Sequence, residues 1–112
     1  MIACNEESQN DKDVEVIIIS TDTEFNTAPN ETDVTKTAVI QYNVKNIGTN
    51  IINGWEIFFN VRLQRGPQLI ASDNLYYTLE PGTVSSVQLA RVLIPEYYEE
   101  ARGAQFKHIE IW

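Results

Sequence analysis

Between residues 38 and 63 apolar and polar side chains alternate at a period of two. Ala38, Ile40, Tyr42 and Val44 share one parity. After a turn at Ile47-Gly48-Thr49-Asn50, Trp55, Ile57, Phe59, Val61 and Leu63 share another. Successive side chains of a strand point to opposite faces, so this segment predicts two antiparallel strands, each with one buried face. Trp55 belongs to the apolar set and reads as core. Phe58 falls on the parity of Glu56, Asn60 and Arg62, the polar face, where the sequence leaves two placements open: packed beneath the short helical turn or a second sheet, or exposed for recognition.

The rest of the chain follows the same grammar. Val14 to Ser20 is short and β-branched, which predicts a first strand, largely buried. Thr21 to Thr35 is polar, contains Pro29 and several Asn or Asp turn formers, and reads as a long surface loop. Arg65-Gly66-Pro67 marks a turn, Gln68 to Ala71 a short edge strand and Asp73 to Leu79 another. Glu80-Pro81-Gly82 supplies a reversal. In the strand from Thr83 to Ile94, Val87, Leu89 and Leu93 lie on one parity, while Val84, Ala90, Val92 and Ile94 make the other nearly as apolar, so its buried face stays open. Pro95 to Gly103 predicts one short helical turn, with Pro at its first position, acids near its start and Gly at its end. Gln105 to Trp112 closes the chain as a strand, with Ile109 and Ile111 on one face and Phe106, His108, Glu110 and Trp112 on the other. Seven strands punctuated by Gly and Pro predict an all-β, Ig-like antiparallel sandwich over residues 13–112.

Charge narrows the partners. The 112 residues carry 16 acidic and 8 basic side chains, a formal charge of −8, which opposes nucleic acid and anionic membrane because both are repelled. The single cysteine, Cys4, excludes an internal disulfide and a cysteine-rich metal site. Ile2-Ala3-Cys4 resembles the end of a bacterial lipobox, in which a small residue precedes a cysteine that becomes lipidated. Asn5 to Asp13 is polar and acidic, so residues 1–12 read as a lipobox remnant and flexible tether. Acidic residues behind such a cysteine resemble the export signal of surface-exposed lipoproteins in Bacteroidetes-type bacteria. The implied address is a bacterial outer membrane or cell surface, with membrane contact only through a lipid on Cys4.

Two further resemblances concern the body of the chain. Tyr42 to Gly48 (YNVKNIG), Trp55 to Arg62 (WEIFFNVR), Gly66 and Leu79 to Gly82 (LEPG) resemble, in that order, the bacterial extracellular Ig-like and fibronectin-like modules of the FxLYD and CARDB type. That resemblance implies an extracellular sandwich that mediates protein interaction or serves as a spacer. Asn46 to Trp55 (NIGTNIINGW), with the later LEPG, is similar to an element of family-2 cellulose-binding modules, which implies polysaccharide capture. Those modules bind glucan with a row of exposed Trp residues, whereas this chain has only Trp55 and Trp112.

The residues offer no catalytic set. His108 is the single histidine, with Glu110 on its face, and no nucleophile accompanies it. One His and one distant Cys cannot assemble a zinc site. Asp22, Glu24, Asn26, Asn30, Glu31 and Asp33 collect oxygen donors in the long polar segment but lack calcium-loop spacing, so no metal and no cofactor is expected. The sequon at Asn30-Glu31-Thr32 carries no expectation of glycosylation in a bacterial lipoprotein. What remains for recognition is aromatic: Phe58, Tyr76, Tyr77, Tyr97 and Tyr98, rings that can stack on sugars or anchor a protein. The expected partner is an envelope or extracellular protein, or alternatively a polysaccharide.

Overall fold

The computed structural model describes residues 12–27 and 34–112. Cys4 and most of its tether lie outside the described residues, as do Asn30, Glu31 and Asp33. Six antiparallel strands follow one another: β1 (Val14–Thr27), β2 (Val34–Asn46), β3 (Ile52–Leu63), β4 (Leu69–Leu79), β5 (Gln88–Ile94) and β6 (Ala101–Ile111). They form one curled sheet in the order β1-β2-β5-β4-β3-β6. The ladder between β4 and β5 is reduced to the pair Ser72 and Arg91, so the sheet folds over there. The half β1-β2-β5 then faces the half β4-β3-β6 in an all-β, Ig-like arrangement. Where the curl brings the outer strands together, the Ala101 N–H donates to Thr23 Oγ1 at 3.0 Å.

The core is the alternating set read from the sequence. Ala38, Ile40, Tyr42 and Val44 on β2 meet Trp55, Ile57, Phe59, Val61 and Leu63 on β3, all buried. Across the two halves the Tyr42 and Phe59 rings lie 5.2 Å apart. On β5 the even parity is the inner one, with Ala90 and Ile94 buried and Leu93 exposed.

Several expectations need correction. The polar segment from Thr21 to Thr35 is not a long loop, because β1 runs on to Thr27 and β2 starts at Val34. Its Thr-rich stretch is paired with β2, where Thr21 opposes Ile40 and Thr23 opposes Ala38. The first strand is not largely buried either: β1 is an outer strand with one inward face, and Ile17 and Ile19 are exposed. The two strands expected at Gln68 to Ala71 and Asp73 to Leu79 are one, β4, giving six strands instead of seven. Ser72-Asp73-Asn74 carries turn-forming residues but continues the pleat, with Asp73 opposite Ile57. Finally, Pro95 to Gly103 makes no helix. It keeps a single turn, Tyr98 N–H to Pro95 O at 3.0 Å, and is already strand at Ala101. A segment this short cannot nucleate a helix unaided, and the ladder of Ala101 with Leu63 wins.

Phe106 also changes face. The β3–β6 register slips by one residue between Phe58 and Phe59, which leaves Lys107 as an extra residue, and again between Arg62 and Leu63, which leaves Arg102. These bulges put Phe106 opposite Phe59 and Ile109 opposite Ile57, both toward the core.

One buried amide is tied into the same frame. Asn46 is fully buried at the end of β2. Its Nδ2 donates to Asn50 O at 2.8 Å and Leu79 O at 2.9 Å, and its Oδ1 accepts from the Gly48 N–H at 3.0 Å. Its backbone pairs with Thr83 O and the Gly82 N–H. One asparagine thereby holds the β2–β3 turn and the LEPG reversal together.

Candidate functional site

Phe58 stands on the outer face of β4-β3-β6, as its parity predicts, neither beneath another segment nor between the sheets. Cross-strand partners fix its surroundings: Ser72 on β4 and His108 on β6. The Phe58 and His108 rings are nearly parallel, with centroids 6.2 Å apart and planes at 16°. Beside them Ile70 and Lys107 complete an open trough of about 430 Å³. The bulge in β6 is the local cause: Lys107 is unpaired in the ladder and is aimed onto the surface next to His108.

Further along the same face lies a second hollow of about 300 Å³, lined by Asn60, Arg62, Gln68, Gly103, Ala104 and Gln105. Asn60 pairs with Ile70 on one side and Gln105 on the other, so the two hollows adjoin. Neither lining contains a carboxylate, although the chain as a whole is strongly acidic. On the opposite side of the Phe58–His108 pair, Glu56 and Glu110 face each other across the ladder.

The other sequence candidates disperse. Tyr76 shares this outer face and is 86% exposed, but it sits opposite Gly54, four residues along β3 from Phe58. Trp112 packs edge-on to it at 6.2 Å. Gly54 makes that possible, because a Cβ there would come within 2.8 Å of Trp112 Nε1 and 2.5 Å of Leu75 O. Tyr77 turns inward, its ring 5.3 Å from that of Trp55. Its hydroxyl accepts from the Ser86 N–H at 2.9 Å, and hydrogen bonding with the Ser86 hydroxyl and then this N–H holds its phenol below the usual tyrosine value. Tyr97 is 91% exposed in the turn before β6, while Tyr98 packs against the core and over Gly66. The Lys36 ammonium donates to the Tyr98 carbonyl. The five rings therefore form no single patch: Phe58 and Tyr76 share a face, Tyr77 and Tyr98 are committed to packing, and Tyr97 stands apart.

The outer face of β1-β2-β5 has a different chemistry. Ile17 and Ile19 on β1 and Leu93 on β5 are 40%, 47% and 63% exposed, and Val87 just before β5 is half exposed. Between them Val39, flanked by Asp22 and Arg91, is covered. Sequence reasoning left the facing of the β5 segment open, and its second apolar parity turns out to supply part of this surface.

Among the described residues no group of three or more His, Cys, Asp and Glu side chains is placed to hold a metal. No described helix is long and apolar enough to cross a membrane. Sequence reasoning passed over Asn60, Arg62, Gln68, Gln105 and Lys107. Parity with Phe58 marks Asn60 and Arg62, but no local signal reveals the bulge that brings Lys107 beside them. Comparison with protein-family models, with curated proteins and with solved structures gives no match.

Proposed function

We propose that this chain is a non-enzymatic module of the bacterial cell envelope, anchored by a lipid on Cys4, that docks a protein partner or spaces one from the membrane. The observation that carries the docking reading is on the outer face of β1-β2-β5, where Ile17, Ile19, Val87 and Leu93 leave apolar side chains in water among polar neighbours such as Asn43, Gln41 and Asp22. A photo-crosslinker placed at Leu93 or Ile19 in cells is expected to trap one defined protein, and the same probe at Tyr97 is expected to trap none. Equal, diffuse labelling from all three positions would remove the reading. Anchoring is tested separately, by incorporation of labelled fatty acid that is lost in Cys4→Ala.

A second reading, carbohydrate capture, is favoured by one observation. On the opposite outer face, the paired rings of Phe58 and His108 adjoin the amides of Asn60, Gln68 and Gln105.

A further inference from the structure

Resting on that second reading, we propose that the outer face of β4-β3-β6 binds an acidic glycan, with a sugar ring against Phe58 and a uronate-type carboxylate toward Arg62.

Three features of the face select this ligand. First, Phe58 offers an apolar ring, flanked by Ile70, within an open trough, the setting in which the C–H face of a pyranose is desolvated against an aromatic side chain. Second, the side chains of Asn60, Gln68 and Gln105 donate and accept no hydrogen bonds within the described protein, so their amides are available in the adjoining hollow. An amide carries both donors and an acceptor and suits the vicinal hydroxyls of a sugar. Third, charge is laid out with a direction. Arg62 and Lys107 lie on one side of the Phe58–His108 pair and neither is in an ion pair among the described residues, while Glu56 and Glu110 lie on the other side.

A neutral glycan would meet the two cations only as hydrogen-bond donors, without charge attraction, and a polyanion without sugar rings would gain nothing from Phe58. Guanidinium binds carboxylate through two parallel N–H donors, which fixes the acid group as well as attracting it. From Phe58 to Arg62 the strand advances about 13 Å at the usual rise per residue, more than one sugar ring covers. The ligand is therefore an oligomer lying along β3, with its carboxylate held away from Glu56 and Glu110.

The test is native affinity electrophoresis through gels containing polygalacturonate, a neutral dextran or polyglutamate, with a melting curve for every variant. Retardation by polygalacturonate is expected, weakened at least tenfold in both Phe58→Ala and Arg62→Gln, with Tyr97→Ala unchanged. If Phe58→Ala fails to fold, Asn60→Ala and Gln105→Ala take its place. Equal retardation by dextran, or binding insensitive to Arg62→Gln, overturns the acidic ligand and leaves carbohydrate capture standing. Retardation by polyglutamate that survives Phe58→Ala marks charge alone and overturns the site. No retardation in any gel removes both the inference and the carbohydrate reading.

Discussion

The indole N–H of Trp55 donates to the hydroxyl of Tyr42 at 2.9 Å, across the two facing halves of the sheet, and that hydroxyl donates onward to Asp73 Oδ2 at 2.7 Å. Three strands thus share one polar chain inside an apolar core. Tyr42→Phe keeps the ring and its packing on Phe59 but leaves the Trp55 N–H without an acceptor. A buried group left unpaired costs its desolvation, so the variant should lose about 2 kcal/mol in denaturant unfolding. Asp73→Asn retains an acceptor on the half-buried rim and should lose less. The opposite ranking would place the stabilisation in the Asp73 charge.

Tyr42 also fixes the alkaline limit of the fold. Burial drives its phenol well above the ordinary tyrosine value, the hydrogen bond from Trp55 opposes that shift, and Asp73 adds to it. Folded Tyr42 therefore keeps its proton at a pH where the unfolded chain releases it. Its contribution is fully present below about pH 10, the ordinary phenol value, and declines as pH rises beyond it, by up to about 1.4 kcal/mol per pH unit. Unfolding curves measured in that window should show this slope in the native protein and a shallower one in Tyr42→Phe.

Asn46 is the point at which two turns depend on one side chain. Asn46→Ala removes two donors and an acceptor from a fully buried site and should cost about 3 kcal/mol. Asn46→Asp should be worse at neutral pH, because it aims a buried carboxylate at the carbonyls of Asn50 and Leu79. Burial and those dipoles would raise its folded-state pKa, so the variant should regain stability as the pH falls toward the carboxylate range. Thermal unfolding at neutral and acidic pH checks both the size and the sign.

Gly66 carries the Tyr98 ring in a conformation that a side chain would not tolerate. Its φ is +114°, and a Cβ would lie 2.6 Å from Tyr98 Cδ1. Gly66→Ala should cost about 2 kcal/mol, combining backbone strain with displacement of the ring. In a Tyr98→Ala background the second part vanishes. A double-mutant cycle on melting curves should then give a non-zero coupling between the two positions.

How much of this was legible beforehand differs by element. The strands β2 and β3, and the face that each buries, follow from strict alternation, and Trp55 and Phe58 take the faces that parity assigns them; that the two strands lie in opposite halves of the sheet does not. Pairing could not be read from Thr21 to Thr27, because threonine is at home both in loops and on the inner face of an outer strand. The break read between Ala71 and Asp73 closes into one strand, with Tyr42, distant in sequence, supplying the partner that lets Asp73 point inward. Phe106 defeats the rule outright: parity presumes an unbroken pleat, and a single inserted residue reverses every facing beyond it. The candidate site suffers most from this, since Lys107 and His108 reach the face of Phe58 together only through that insertion.

Because Lys107 and Arg102 are the surplus residues of β6, the core does not count them. Closing the chain over either one would leave Ile109 opposite Ile57, Phe106 opposite Phe59 and Ala104 opposite Val61. The strand can thus shorten by a residue without exchanging inside for outside, and such a deletion would restore ladder bonds that the bulge forgoes. The interior and the outer surface of β6 are separately adjustable, so the character of that surface can change while the fold beneath it stays the same.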